Sequence, residues 1–195
     1  MLPLRCIPMP ADYDGDNKAD AAVFRPAAGT WFILQSGGGG TLITPFGTAG
    51  DQPFGSRLRQ RRTARYCHRS NNGGTKEWWI QCSTAGLFAT VFGVATDQTV
   101  QGDYTGDGRT DAAVWRPSTG QWFILRSEDF SYLAFPFGQS GDVPVPGDYD
   151  GDARFDAGVF RPSQATWYLN RSNAGVHVQA FGASTDRPVP SAYNR

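Results

Sequence analysis

The sequence predicts an all-β chain of four tandem repeats, each about 45 residues long and made of four short strands. Three recurring features carry this expectation. An acidic nonapeptide opens at Asp12, Asp103 and Asp148, so the last two copies start 45 residues apart and the first two 91, about twice that period. A tryptophan-led apolar run recurs as Trp31-Phe32-Ile33-Leu34, Trp78-Trp79-Ile80, Trp122-Phe123-Ile124-Leu125 and Trp167-Tyr168-Leu169. A Phe-Gly pair closes each repeat, at Phe46-Gly47, Phe92-Gly93, Phe137-Gly138 and Phe181-Gly182. The repeats run over 7–50, 51–96, 97–141 and 142–186, and a partial first strand follows over 187–195.

Each repeat has one grammar. A Pro-flanked extended segment leads in (Ile7-Pro8-Met9-Pro10; Val143-Pro144-Val145-Pro146), and the acidic loop follows. A compact apolar run then ends in Arg-Pro, as in Ala21-Ala22-Val23-Phe24-Arg25-Pro26. One turn leads to the Trp strand and a second to Thr41-Leu42-Ile43-Thr44-Pro45. Alternation puts Trp31 and Ile33 on one face, Phe32 and Leu34 on the other. Both faces are apolar, so both are expected to be covered, and radially stacked four-stranded blades meet that demand. The expected architecture is a β-propeller-type array.

Composition agrees. Glycine (24) and proline (13) are abundant, the acids are almost all Asp and the bases almost all Arg, which suits turns and metal loops rather than helices. Lys+Arg 18 balances Asp+Glu 18, so no global field draws nucleic acid or an anionic membrane. No apolar run is long enough for a membrane-spanning helix, and Met1–Cys6 lacks the apolar core of a signal peptide. Cys6, Cys67 and Cys82 show no metal-ligand spacing and imply no disulfide framework; Cys82 replaces Gln35, Arg126 and Arg171.

A hard cation such as Ca²⁺ takes six to eight oxygen ligands. In the first loop Asp12, Asp14, Asp16 and Asp20, with the Lys18 carbonyl, can supply them. The equivalents are Asp103, Thr105, Asp107, Arg109 (carbonyl) and Asp111, then Asp148, Asp150, Asp152, Arg154 (carbonyl) and Asp156, giving up to three Ca²⁺ sites. Positions 4 and 6 must tolerate left-handed backbone; Gly15, Asn17, Gly106, Gly108 and Gly151 suit this and Ala153 does not. Thr105 makes the second loop the poorest in charge. Without metal the crowded carboxylates are expected to repel and to rise in pKa.

Phe-Gly, acidic loop and Trp strand at this period resemble the FG-GAP/VCBS-type repeats of bacterial surface and secreted proteins. They are more distantly similar to the propeller repeats of integrin α chains. The chain departs in lacking Gly-Ala-Pro after Phe-Gly; Gly50-Asp51-Gln52-Pro53 and Gly141-Asp142-Val143-Pro144 stand there, as in the bacterial branch. The resemblance implies rings of about seven blades, hence the tail of a larger protein or a gene fragment; extracellular modules that fill with Ca²⁺ at 10⁻⁴–10⁻³ M point to an exported parent.

The second repeat lacks its loop. Where it should open, Arg57–His68 is basic and reads Arg-Leu-Arg-Gln-Arg-Arg-Thr-Ala-Arg-Tyr-Cys-His. One codon assignment for this stretch, read one base later, spells Asp-Tyr-Asp-Asn-Asp-Gly-Arg-Arg-Asp-Ile-Ala-Ile. A compensated frameshift over 54–70 is therefore expected; a diverged loop and a basic arm are the alternatives.

No nucleophile elbow, His-Glu-x-x-His motif or phosphate loop is present, and His177 stands alone in a strand-like stretch. The expected function is non-catalytic. It is a calcium-binding structural, adhesion or ligand-binding module of an extracellular or cell-surface protein, with a protein or glycan partner, no nucleic acid and no membrane insertion. The alternative is a lectin-like carbohydrate-binding module appended to a secreted hydrolase, on the strength of Phe130, Tyr132 and Tyr168.

Overall fold

Short β-branched and aromatic runs between Gly, Pro and Asp turns form strands because neither flank can continue them. The computed structural model describes residues 6–16, 18–49, 51–56, 65–82 and 86–189, with backbone alone at 54–56, 65–72, 81, 82 and 86. Asn17, the basic stretch 57–64 and residues 190–195 lie outside the described residues. Of the expected final strand over 187–195, residues 187–189 are described and are not in a strand.

The structure is all-β, with four antiparallel sheets of four strands, each sheet within one sequence repeat. Sheet 1 contains β1 (Ile7–Pro8), β2 (Ala21–Arg25), β3 (Thr30–Leu34) and β4 (Thr41–Pro45). Sheet 2 contains β5 (Gln52–Ser56), β6 (Arg65–Asn72), β7 (Thr75–Cys82) and β8 (Gly86–Val94). Sheet 3 contains β9 (Gln98–Thr99), β10 (Ala112–Arg116), β11 (Gln121–Leu125) and β12 (Tyr132–Pro136). Sheet 4 contains β13 (Val143–Pro144), β14 (Ala157–Arg161), β15 (Thr166–Arg171) and β16 (Gly175–Ala180). Strand order follows chain order in every sheet, and no sheet closes on itself. The chain divides into two units, Met1–Ala95 and Thr96–Arg195, with two sheets each.

Register repeats with the sequence. Phe24 pairs with Trp31, Trp115 with Trp122 and Phe160 with Trp167. Sheet 2 departs: its first strand has five residues where the others have two, and its central strands have eight each. These join through the tight turn Gly73-Gly74, where both glycines have positive φ.

In the second unit the sheets pack face to face. Ala113, Trp115, Trp122 and Ile124 of sheet 3 bury against Ala157 and Val159 of sheet 4, with Phe135 and Phe137 at the margin. In the first unit Tyr13, Ala22, Phe24, Trp31 and Ile33 form the equivalent cluster. The Phe-Gly pair has a definite role. The carbonyl of Phe46, Phe92, Phe137 or Phe181 accepts the indole N–H of Trp31, Trp78, Trp122 or Trp167 at 3.2, 2.7, 2.9 and 3.1 Å. The following glycine then turns the chain at φ between 93° and 115°.

The expectation that both faces are covered holds for β10, where Ala112 through Trp115 are all buried, and for β14. It fails in β3, where Leu34 is 57% exposed. Phe32 on that face is instead roofed by Arg25, whose guanidinium carbon lies 4.4 Å from the ring centre. Arg116 over Phe123 and Arg161 over Tyr168 repeat the lid at 4.5 and 4.3 Å. The Arg of each Arg-Pro pair thus lies over the ring of the adjacent Trp strand; in sheet 4 that ring, Tyr168, is on the face that packs against sheet 3.

Candidate metal centres

The acidic stretches form loops between the first and second strands of sheets 1, 3 and 4. Each is clamped at its base: the N–H of Asp20, Asp111 or Asp156 donates to the carbonyl of Ala11, Gly102 or Gly147 at 2.8, 2.7 and 2.7 Å. Asp favours these loops because its short carboxylate accepts backbone N–H groups a few residues on. The opening carboxylates of Asp12, Asp103 and Asp148 accept the N–H of Gly15, Gly106 and Gly151 at 2.7, 2.6 and 2.6 Å. Those three glycines have φ of 84°, 78° and 82°. Position 6 needs the same conformation, and Ala153 adopts it at φ 71°, donating its N–H to Asp148 at 3.1 Å. The alanine is held there against its preference, so Ala153→Gly is expected to stabilise the chain by about 0.5–1 kcal/mol. Denaturant midpoints of the two proteins check this.

The ninth position is the hub. Asp20, Asp111 and Asp156 are buried. One oxygen of each accepts the N–H of Tyr13, Tyr104 or Tyr149 at 2.7, 2.9 and 2.9 Å. The other accepts the N–H of Ser36, Ser127 or Ser172, in the turn between the third and fourth strands, at 2.7, 2.8 and 2.8 Å. One carboxylate therefore ties the loop to a hairpin 16 residues away. The tyrosine hydroxyls donate to the carbonyls of Met9, Val100 and Val145 beneath the loops. Burial, ahead of the Asp111 charge, pushes the Tyr104 hydroxyl well up. Burial also pushes Asp111 up to about 6 and raises Asp156 and Asp103, against their N–H bonds. The larger cause is thus desolvation rather than the expected mutual repulsion.

Two loops bring carboxylates together. Oxygens of Asp12, Asp14 and Asp20 lie within 4.8 Å of one another, as do those of Asp148, Asp150 and Asp156. At an effective dielectric of about 20, two unit charges at such a spacing repel by about 3–4 kcal/mol. A cation converts that cost into attraction, and three hard oxygens suit Ca²⁺. The Asp103 loop, with Thr105 at its third position, forms no such cluster among the described residues.

The fifth position stands beside the triad, Asp16 next to Asp14 and Asp152 next to Asp150, and reaches the hairpin. Asp16 accepts the Ser36 hydroxyl at 3.0 Å, and Asp152 accepts the Ser172 hydroxyl and the Asn173 amide at 2.5 and 2.8 Å. The N–H groups of Lys18, Arg109 and Arg154 donate to Asp16, Asp107 and Asp152 at 2.8, 2.7 and 2.8 Å, while their basic side chains are exposed. The Lys18 N–H bond is the main cause holding Asp16 below its usual carboxylate value. The hairpin also reaches the third position, where Asp14 accepts from Gly37 N–H at 3.2 Å and Asp150 from Asn173 N–H at 3.0 Å. Sequence reasoning missed these hairpin residues and the tyrosines. The signal was present in Ser36, Ser127 and Ser172, and in the tyrosine at the second position of all three loops.

No family model matches this chain. No curated protein matches it either. Among solved structures it is similar to one described as the structural basis of specific recognition of non-reducing terminal N-acetylglucosamine by an Agrocybe aegerita lectin. The TM-score is 0.58 at 15% identity, over 90% of this chain and 52% of that one, so the likeness is one of fold. This chain spans about half the length of that protein.

The cysteines and the aromatic residues singled out from the sequence are placed as follows. Cys6 is exposed and free, whereas the side chains of Cys67 and Cys82 lie outside the described residues. Phe130 and Tyr132 are 57% and 72% exposed, while Tyr168 is half-buried beneath Arg161.

Proposed function

We propose that this chain is a non-catalytic, calcium-binding repeat module of the FG-GAP/VCBS type, built as part of a propeller and serving a secreted or cell-surface protein. The observation that supports it best is the pair of carboxylate triads, Asp12/Asp14/Asp20 and Asp148/Asp150/Asp156, at equivalent places in two repeats. Each triad would hold one Ca²⁺, and the ion would supply charge neutralisation where the loop meets its hairpin. The Asp103 loop, with a hydroxyl in place of one carboxylate, would bind more weakly. Extracellular modules fill at 10⁻⁴–10⁻³ M Ca²⁺, concentrations met outside cells, which favours export.

Thermal unfolding in EDTA and in excess CaCl₂ tests the reading. Each filled site adds about 2.7 kcal/mol at a hundredfold excess over its dissociation constant, or about 5–10 °C for a chain of this size. Asp12→Ala and Asp148→Ala should each remove about half of the rise. A cooperative transition at the same midpoint in both buffers would reduce the loops to turns.

A second reading, carbohydrate binding, is favoured by the fold likeness to a lectin and by the exposed rings of Phe130 and Tyr132, which could stack on a sugar. Retention of the chain on a glycan array, lost in Phe130→Ala and Tyr132→Ala, would favour it over a scaffold role.

A further inference from the structure

We propose that Phe155 couples the acidic loops of the third and fourth repeats, so that an ion held by the Asp148 loop strengthens the hold of the Asp103 loop on a second ion. The inference rests on the calcium reading above and deepens it. Phe155 stands at the eighth position of its loop, where the other two loops have Ala19 and Thr110. Its N–H reaches out of its own loop and donates to the carbonyl of Asp103 at 2.6 Å. Its ring lies against the backbone of Gly102, where a Cβ would strike it, and meets the Tyr104 ring edge-on with centroids 6.1 Å apart. The first repeat has Ala11 in the place of Gly102. One residue earlier, the Arg154 side chain crosses Gly106, where a Cβ would come within 3.0 Å of its Cγ and Nε. Residues 154 and 155 of one loop therefore sit over residues 102–106 of the other, and both loops belong to the second unit.

These contacts join two sets of candidate ligands. Phe155 directly precedes Asp156, whose carboxylate belongs to the Asp148/Asp150/Asp156 triad. The carbonyl that accepts its N–H is that of Asp103, which opens the other loop and whose carboxylate accepts the Gly106 and Gly108 N–H groups at 2.6 and 2.8 Å. An empty triad repels itself, and spreading the loop relieves the repulsion while drawing Asp156 and Phe155 away from Gly102. A bound cation removes that repulsion and favours the seated ring over the withdrawn one. The seated ring fixes Gly102, Asp103 and Tyr104, so part of the ordering that the third-repeat loop needs is in place before its own ion arrives. That loop, with Thr105 in place of a carboxylate, has the most to gain. Linkage makes the effect mutual, each ion strengthening the binding of the other by the same factor. With Ala19 at its eighth position, the first-repeat loop has no such ring to offer.

Two measurements on the whole chain test this. The first needs no calcium. In EDTA, Phe155→Ala should speed hydrogen exchange of the Tyr104, Gly106 and Gly108 amides about fivefold or more, and leave the equivalent Tyr13 and Gly15 amides of the first repeat unchanged. Gly102→Ala, which closes the notch from the other side, should do the same. The second is calcium titration of Asp12→Ala, which leaves the two loops of the second unit. Their sites should fill together, and each should bind about fivefold or more weakly when the other is removed by Asp148→Ala or Asp103→Ala. Adding Phe155→Ala should make the two sites independent. Sites that fill independently with Phe155 in place, or a coupling that persists in Phe155→Ala, would overturn the proposal and leave the calcium reading standing. If no calcium binds, that reading fails and the coupling of ions fails with it, whereas faster exchange in Phe155→Ala would still establish the contact between the loops.

Discussion

Replacing Trp122 by alanine is expected to cost about 4 kcal/mol, lowering the midpoint of thermal unfolding by about 10 °C. The indole is wholly buried. It stacks on Phe135 with centroids 6.4 Å apart and meets the edge of Tyr104 at 6.5 Å. Its removal opens a cavity where sheets 3 and 4 meet, and the surrounding strands can fill it only in part. The Phe137 carbonyl keeps one donor, the indole of Trp115 at 3.2 Å, so the loss is chiefly of packing. Trp122→Phe should therefore recover more than half of it. Trp167→Ala provides the contrast: the same residue in the same repeat position, but partly exposed, should cost about half as much. Equal losses would contradict the account of which faces are covered.

Arg161→Met is the second large effect, expected at about 3–5 kcal/mol. Asp142 is buried and holds the guanidinium by two bonds, and the bond to Asp142 is the main cause raising the Arg161 pKa. Methionine keeps an apolar stem over Tyr168 but strands a buried carboxylate, which still accepts the Gln139 N–H and has lost its counter-charge. The cost comes from that stranded charge more than from the lost pair. Adding Asp142→Asn should recover about half, because the amide oxygen still accepts from Gln139. Urea unfolding of the wild type, both single variants and the double variant gives the coupling directly. A coupling near zero would make the pair an ornament of the surface.

The Trp strands, the Phe-Gly ends and the acidic loops could all be read before any coordinates. Each is a local pattern, complete within a few residues and repeated in register. Asp12, Asp14 and Asp20 converge because a nine-residue loop clamped at both ends leaves their carboxylates few places to go. Asp16 lies beside that triad, next to Asp14. Its carboxylate turns to Ser36, which lies 20 residues away in a different turn. The Asp142–Arg161 pair was hidden from the sequence, being 19 residues apart with a loop and a strand between.

Residue types and their spacing were enough to establish the all-β character, the four-strand unit, its repeat and the acidic loops, because hydrophobic alternation and turn chemistry act over short stretches of chain. Tertiary packing alone decided which carboxylates meet, which face of each sheet is covered and where the arginines go. Those outcomes depend on which hairpin folds back over the loop and which sheet lies next to which face, and neither distance is written in the local pattern.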